Sequence, residues 1–389
     1  MTWSQGNDVI AEAAQRFAER HGTRVEVEQI SGQSSEYLQA ITTRLVSDTT
    51  PDLYWNSSTT GLALATPGRA EPLDAYFARD KVSWADMVPM AQPSVQYLGD
   101  GVTWAFPIAT WTTNLWYDKA HFRQSGVPEP TDGWTMERDL FEAARKLTRP
   151  TGDPATEVWG TTAPTASHLI MQYVFAFGGQ VLSNDLKSVA LNSPASQRGL
   201  QWNFELADKH NVAPRPSQAV NIVRRQVAMV IDGPHLLKSL RDTWEPQDIG
   251  LALVPAGPAA RVSYGDTRNM SMMAGSKAKD VAWKFLLSFI SPELQHLMGE
   301  LQVWTPVLKA SKLPGFQFGP KGPPANVGDM IRQLEYARIW PRPAEPELRN
   351  LLQTEYTNAM NGQISLQAAL ANVKTQGDIM LRDWWAARK

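Results

Sequence analysis

Three groups of residues in this 389-residue chain are of types that could hold or transform a ligand. Ser4-Gln5-Gly6-Asn7, Gln33-Ser34 and Asn56-Ser57 are polar, uncharged and small. Asn and Gln each offer a donor and an acceptor, which suits neutral hydroxyls. The same positions serve equally well as helix caps. Asp266 and Arg268 lie two apart in Tyr264-Gly265-Asp266-Thr267-Arg268-Asn269. They read either as a surface ion pair of small value or as charged hydrogen-bond partners for hydroxyls. The third group is the 15 tryptophans. Large aromatics dominate buried area, so most of them fill cores. Several can instead line a cleft, where indole stacks on the flat C–H faces of sugar rings. Trp111, Trp304 and Trp340 are the stacking candidates.

Other chemistries lack their residues. With no cysteine there is no disulfide, no thiolate nucleophile and no Cys-based metal site. The 6 histidines show no metal-ligand spacing. No phosphate-binding glycine loop, nucleophile elbow or HExxH helix occurs. A glycosidase needs two apposed carboxylates, and no strand-end motif marks such a pair among the 39 acidic residues. The net charge of −2 is spread along the chain, which argues against a nucleic-acid face. No apolar run is long enough to span a bilayer.

The elements that must position these residues alternate between strand and helix. Val9, Ile10, Ala13, Ala14 and Phe17 have helical spacing, which Gly22 stops. Val25, Val27 and Gln29 alternate with charged residues as a short strand. Strand, helix and strand at this length form a βαβ unit with a parallel pair. A second helix runs from about 35 to 48, and Pro51-Asp52-Leu53-Tyr54-Trp55 is another strand. In open α/β sheets ligands bind beyond the carboxyl ends of strands, and the Gln5, Gln33 and Asn56 loops leave such ends. Residues 108–117 read as a strand, Asp118 caps a short helix ending at Gly126, and Thr135 caps a second carrying Met136, Leu140, Ala143, Ala144 and Leu147 on one stripe. Ser167–Phe177 is apolar nearly all round and reads as buried. Residues 278–299 read as one helix, followed by Trp304-Thr305-Pro306 and two C-terminal helices, near 346–361 and 365–383, parted by Gly362 and Ser365.

The order of residue types resembles the family 1 extracellular solute-binding proteins of ABC importers, which include the maltose-binding type. The resemblance starts in residues 104–147: a Pro-containing strand, Tyr117-Asp118-Lys119, Gly126-x-x-x-Pro130, Trp134-Thr135 and a helix ending Lys146-Leu147-Thr148. It continues through Pro72-Leu73-Asp74, Gly178-Gly179, Asn192-Ser193-Pro194, Met229-Val230-Ile231-Asp232-Gly233 and the 277–295 helix, in family order over nearly the whole chain. In the family an aromatic often follows that glycine and stacks on sugar. Here the matching position is His235, which can still stack or hydrogen bond.

The resemblance implies a two-lobed α/β periplasmic-binding-protein fold, each lobe a central β-sheet flanked by helices, with a three-segment hinge. The expected lobes are 1–109 with 267–309, and 110–266 with 310–389. It implies a sugar or short oligosaccharide captured between lobes that close over it, delivery to ABC permease membrane subunits, no enzyme activity, no cofactor, no metal, no nucleic-acid partner and a monomer. It places Trp111 at the floor or rim of the cleft, near the first crossing. Expected ligand contacts are Gln5, Asn7, Gln33, Ser34, Asn56, Ser57, Trp111, His235, Asp266, Arg268, Trp304 and Trp340. A glycerophosphodiester or polyol is the alternative cargo, with Arg268 and Arg342 as its cationic groups. A carbohydrate-active hydrolase is the alternative of another class. The chain begins where a first strand should already be under way, so an export or lipoprotein segment is expected upstream of Met1, with the protein extracytoplasmic.

Overall fold

A computed structural model describes residues 2–3, 7–30, 34–47, 49–56, 69–96, 100–153, 156–218, 220–302, 304–319, 324 and 326–387. The described residues contain nine strands: β1 (Thr2–Trp3), β2 (Gln29–Ile30), β3 (Leu53–Asn56), β4 (Phe106–Thr112), β5 (Asn114–Asp118), β6 (Met229–Asp232), β7 (Ile249–Ala252), β8 (Ser263–Met272) and β9 (Ala337–Arg338). The chain divides into two compact units, Met1–Trp111 with Gly265–Lys321, and Thr112–Tyr264 with Gly322–Lys389.

In the first unit β1 pairs parallel with β2 across the helix Asn7–His21. Val9, Ile10, Ala13, Ala14 and Phe17 of that helix are all buried, as their spacing predicts. Phe17 meets Phe285 edge-on, with ring centroids 5.4 Å apart. The strand read at 24–29 is shorter than expected: only Gln29–Ile30 pairs. Residues 24–28 are charged at every second position, and those residues are exposed. A sheet places β8 between β3 and β4. β3 runs antiparallel to β8, with Leu53 opposite Met272 and Asn56 opposite Asn269.

A buried glutamine ties the rest of this unit to β4. Gln295 Nε2 donates to Ile108 O at 2.9 Å and Phe289 O at 2.7 Å, while its Oε1 accepts from Val307 N at 2.7 Å. Thr110 and Thr305 exchange main-chain bonds at 2.8 and 3.1 Å. The helix expected over 278–299 is two helices, Lys279–Ser288 and Pro292–Glu300. Pro292 has no N–H to continue the first, and Ser291 Oγ accepts from Leu294 N at 3.3 Å to start the second.

The second unit is built on a three-stranded antiparallel sheet ordered β6-β5-β7. β9 runs parallel to the start of β8, with Ser263 opposite Ala337. Every residue of the central β5 is buried. At its end Asp118 caps Lys119–Ser125, accepting from Ala120 N at 2.8 Å, and Gly126 closes that helix at φ 62°. Thr135 does not cap as expected. Its N–H and Oγ instead donate to Asp139 Oδ2 at 2.7 and 3.1 Å, and Met136–Leu140 is a π-turn leading into Phe141–Leu147. The Thr135 hydroxyl accepts no hydrogen bond from the turn. The apolar stripe of that segment is nevertheless buried in full. Ser167–Ala176 is buried along most of its length, and Ser365 caps Leu366–Ala386. Among the described residues no helix is long and apolar enough to cross a membrane.

Candidate functional site

Gln5, Gln33 and Ser57 lie outside the described residues. Asn7 and Ser34 are the first residues of the helices Asn7–His21 and Ser34–Val46, and their side chains lie outside the description. The other expected contacts fall in both units.

In the first unit Asn56 ends β3 and is fully buried. Its Nδ2 donates to Ser271 Oγ, and Ser271 Oγ donates to Trp104 O at 2.8 Å. The β3–β8 register therefore fixes the amide. Asp266 and Arg268 share one face of β8, by the period-two alternation of a strand. Asp266 is 5% exposed, and its Oδ1 accepts from Thr267 N at 2.9 Å. Among the described residues no ion pair joins it to Arg268. The Arg268 side chain is half-buried, and its Nε is buried without a hydrogen-bond partner among the described residues. Of the three stacking candidates, Trp304 and Trp340 are 2% and 1% exposed, whereas Trp111 is half-exposed within an otherwise buried β4.

In the second unit His235 follows the turn that ends β6 and is well exposed. Its Nε2 lies 3.9 Å from Asp232 Oδ1. Burial pushes the Asp232 carboxyl above the ordinary carboxylate range, against the pull of His235 and of the Gly233 N–H. Arg342 is committed within the unit: its Nη1 donates to Glu345 Oε2 at 2.9 Å, and Arg349 Nη1 approaches the other oxygen at 3.2 Å. The sequence reading missed Asn114. It begins β5 opposite Asp232, is fully buried, and neither side-chain polar atom has a hydrogen-bond partner among the described residues. Its one signal in the sequence is an amide opening an apolar strand. Among the described residues no group of three or more His, Cys, Asp or Glu is placed to hold a metal ion.

The maltotriose-binding protein of Pyrococcus abyssi (strain GE5 / Orsay) is 24% identical over 285 residues, covering 69% of this chain and 57% of that protein. The chain spans 57 to 60% of the length of the curated relatives it matches. Among solved structures, the sugar-binding protein MalE from Xanthomonas citri is 19% identical with a TM-score of 0.85, covering 100% of this chain and 99% of that one. The ABC substrate-binding protein of Listeria monocytogenes in complex with cycloalternan is 20% identical with a TM-score of 0.81, covering 96% of each chain. At these identities the likeness is one of fold, the α/β fold of MalE-type binding proteins with sheets flanked by helices. The sequence itself matches the bacterial extracellular solute-binding proteins over residues 3–296, and the chain belongs to that family.

Proposed function

We propose that this protein is the extracytoplasmic substrate-binding component of an ABC importer and that its cargo is a sugar or short oligosaccharide. The family match over residues 3–296 carries the reading. Two residues support it: Trp111 has a partly exposed indole that a sugar face can meet, and the exposed His235 can exchange hydrogen bonds with hydroxyls. The protein binds its cargo and releases it to a permease without changing it, acts as a monomer, and works outside the cytoplasmic membrane or anchored to its outer side.

One observation favours a second cargo. Arg268 has no acidic partner among the described residues, and its Nε is unpaired. A phosphodiester would fill that place. Arg342 gives no such support, because Glu345 already holds it.

Intrinsic tryptophan fluorescence tests both readings against maltose, trehalose, cello-, xylo- and manno-oligosaccharides and glycerophosphodiesters, with each ligand recovered afterwards. A saturable shift with one neutral sugar, recovered intact, is the expected result. A shift with phosphodiesters alone replaces sugar as the cargo. Cleaved sugar overturns the binding-protein reading in favour of a hydrolase.

A further inference from the structure

The end of the second unit's sheet carries a polar pair whose hydrogen-bonding capacity the described residues do not fill. Asn114 opens β5, Asp232 closes β6, and the two stand directly opposite in antiparallel register. Opposed residues project to one face with Cβ atoms about 4.5–5.5 Å apart. Asn114 is fully buried, yet both Nδ2 and Oδ1 lack a hydrogen-bond partner among the described residues. Leaving a buried polar group unpaired costs the fold the full desolvation of that group.

The surrounding groups do not relieve that cost. Asp232 Oδ1 accepts from Gly233 N at 2.7 Å, and the Asp232 main-chain carbonyl accepts from Trp116 Nε1 at 3.1 Å. His235 Nε2, at 3.9 Å from Oδ1, is beyond hydrogen-bond reach. Asp232 Oδ2 has no hydrogen-bond partner among the described residues. The pair is therefore short of both a donor and an acceptor, and beside the buried Asn114 the Asp232 and His235 side chains are 28% and 61% exposed.

We propose that Asn114 and Asp232 form a clamp for two adjacent hydroxyls of a carbohydrate, which rests on carbohydrate being the cargo. A hydroxyl is at once donor and acceptor. The first accepts from Asn114 Nδ2 and donates to Asp232 Oδ2. The second donates to Asn114 Oδ1. A monohydroxy compound or an apolar ring leaves half of the clamp unpaired, so the pair selects for a vicinal diol. His235 stands at the exposed edge of the same end and meets the ring that carries the diol.

The test uses the intact chain, the neutral sugar that shifts its fluorescence, and the mono-deoxy analogues of that sugar. Asn114→Leu keeps the volume and removes both unpaired atoms. The expected result is about tenfold weaker sugar binding, with Tm unchanged or raised. One deoxy analogue should bind wild type about tenfold more weakly than the parent sugar does, and this discrimination should vanish in the variant. If Asn114→Leu does not fold, Asn114→Ala is read with the same analogues. Unchanged affinity, or weaker binding that keeps the full deoxy discrimination, overturns the clamp and leaves the carbohydrate reading intact. A wild-type chain that binds none of the sugars overturns both.

Discussion

Arg225 grips Asp118 with one nitrogen, its Nη1 lying 2.9 Å from Oδ1 and 2.7 Å from Oδ2. Its other nitrogen, Nη2, reaches Asp248 Oδ2 at 2.8 Å, and its guanidinium lies 4.6 Å from the Trp244 ring centroid. Asp118 is fully buried and also caps the helix Lys119–Ser125. One cation thus joins the end of β5 to the turn before β7. Removing it leaves a buried carboxylate with its cap bonds and His121 Nε2 3.6 Å from Oδ2. Arg225→Ala is expected to cost about 3 kcal/mol, read as a lowered urea midpoint at neutral pH. An unchanged midpoint would show that water replaces the guanidinium at no loss.

The same network sets an acid limit. Burial pushes the Asp248 carboxyl up, but hydrogen bonds from Arg123 and Arg225 outweigh it and hold the group below the ordinary carboxylate range. A carboxylate depressed in the fold contributes stability above its unfolded value, near 4, and loses it as the pH falls through the lower folded value. Asp248→Asn should therefore lower Tm at pH 7 and converge on wild type at the acid end. Parallel Tm curves for the two proteins from pH 7 to the acid end would refute this.

Asp232 behaves in the opposite sense. Its carboxyl is raised by burial, so the ionised form is disfavoured in the fold. The fold bears that cost fully above the raised value and not at all below the unfolded value, near 4. Asp232→Asn keeps an acceptor for the Gly233 N–H and removes the charge. Thermal melts should show it more stable than wild type at pH 7, with the gain fading by pH 3. A loss of stability at pH 7 would mean that the charge is better supported than its surroundings indicate.

Gly250 sits opposite Tyr117 in the β5–β7 ladder. A Cβ there would overlap the tyrosine ring, whose hydroxyl donates to Glu129 Oε2 at 2.8 Å. The ring is pinned at both ends and cannot step aside cheaply. Gly250→Ala should cost about 1–3 kcal/mol, measured by chemical denaturation, and Gly250→Ala with Tyr117→Leu should recover part of it. No recovery in the double variant would place the strain elsewhere.

Much of this arrangement was legible in the sequence because its signals are local. The buried stripe of Asn7–His21, the Asp118 cap with Gly126 behind it, and the Ser365 start each depend on residues within a turn of one another. The break at Ser291-Pro292 was equally local, but a continuous apolar pattern on both sides masked it. Thr135 misled because a hydroxyl before a helix can donate as well as accept, and only the position of Asp139 decides which. Asn114 leaves in the sequence only the trace of an amide opening an apolar strand. Its standing depends on the β5–β6 register and on the absence of partners, and neither is written in the residues next to it. The tryptophans divide for the same reason: Trp111 and Trp304 look alike in sequence, but only the packed structure buries one and leaves the other half-open.

Arg268 and Trp111 give the division between cargo classes its clearest reading. Trp111 presents part of an indole, and Arg268 presents a guanidinium with no acidic partner among the described residues and an unpaired Nε. Stacking on a neutral sugar is worth about 0.5–1.5 kcal/mol beyond buried area if indole–sugar contacts follow aromatic pairs. A guanidinium–phosphate bond is charge-assisted and roughly twice as strong as a neutral one. For a neutral sugar, then, Trp111→Ala should weaken binding about tenfold or more, whereas Arg268→Gln, which can still donate to hydroxyls, should weaken it only a few-fold, with little dependence on salt. For a phosphodiester the order reverses: Arg268→Gln abolishes binding, and wild-type affinity falls steeply with added salt because a charge pair is being screened. Titrating both variants at low and high ionic strength therefore separates the classes even before the natural cargo is identified. If neither substitution changes the affinity of any ligand that binds, Trp111 and Arg268 take no part in recognition.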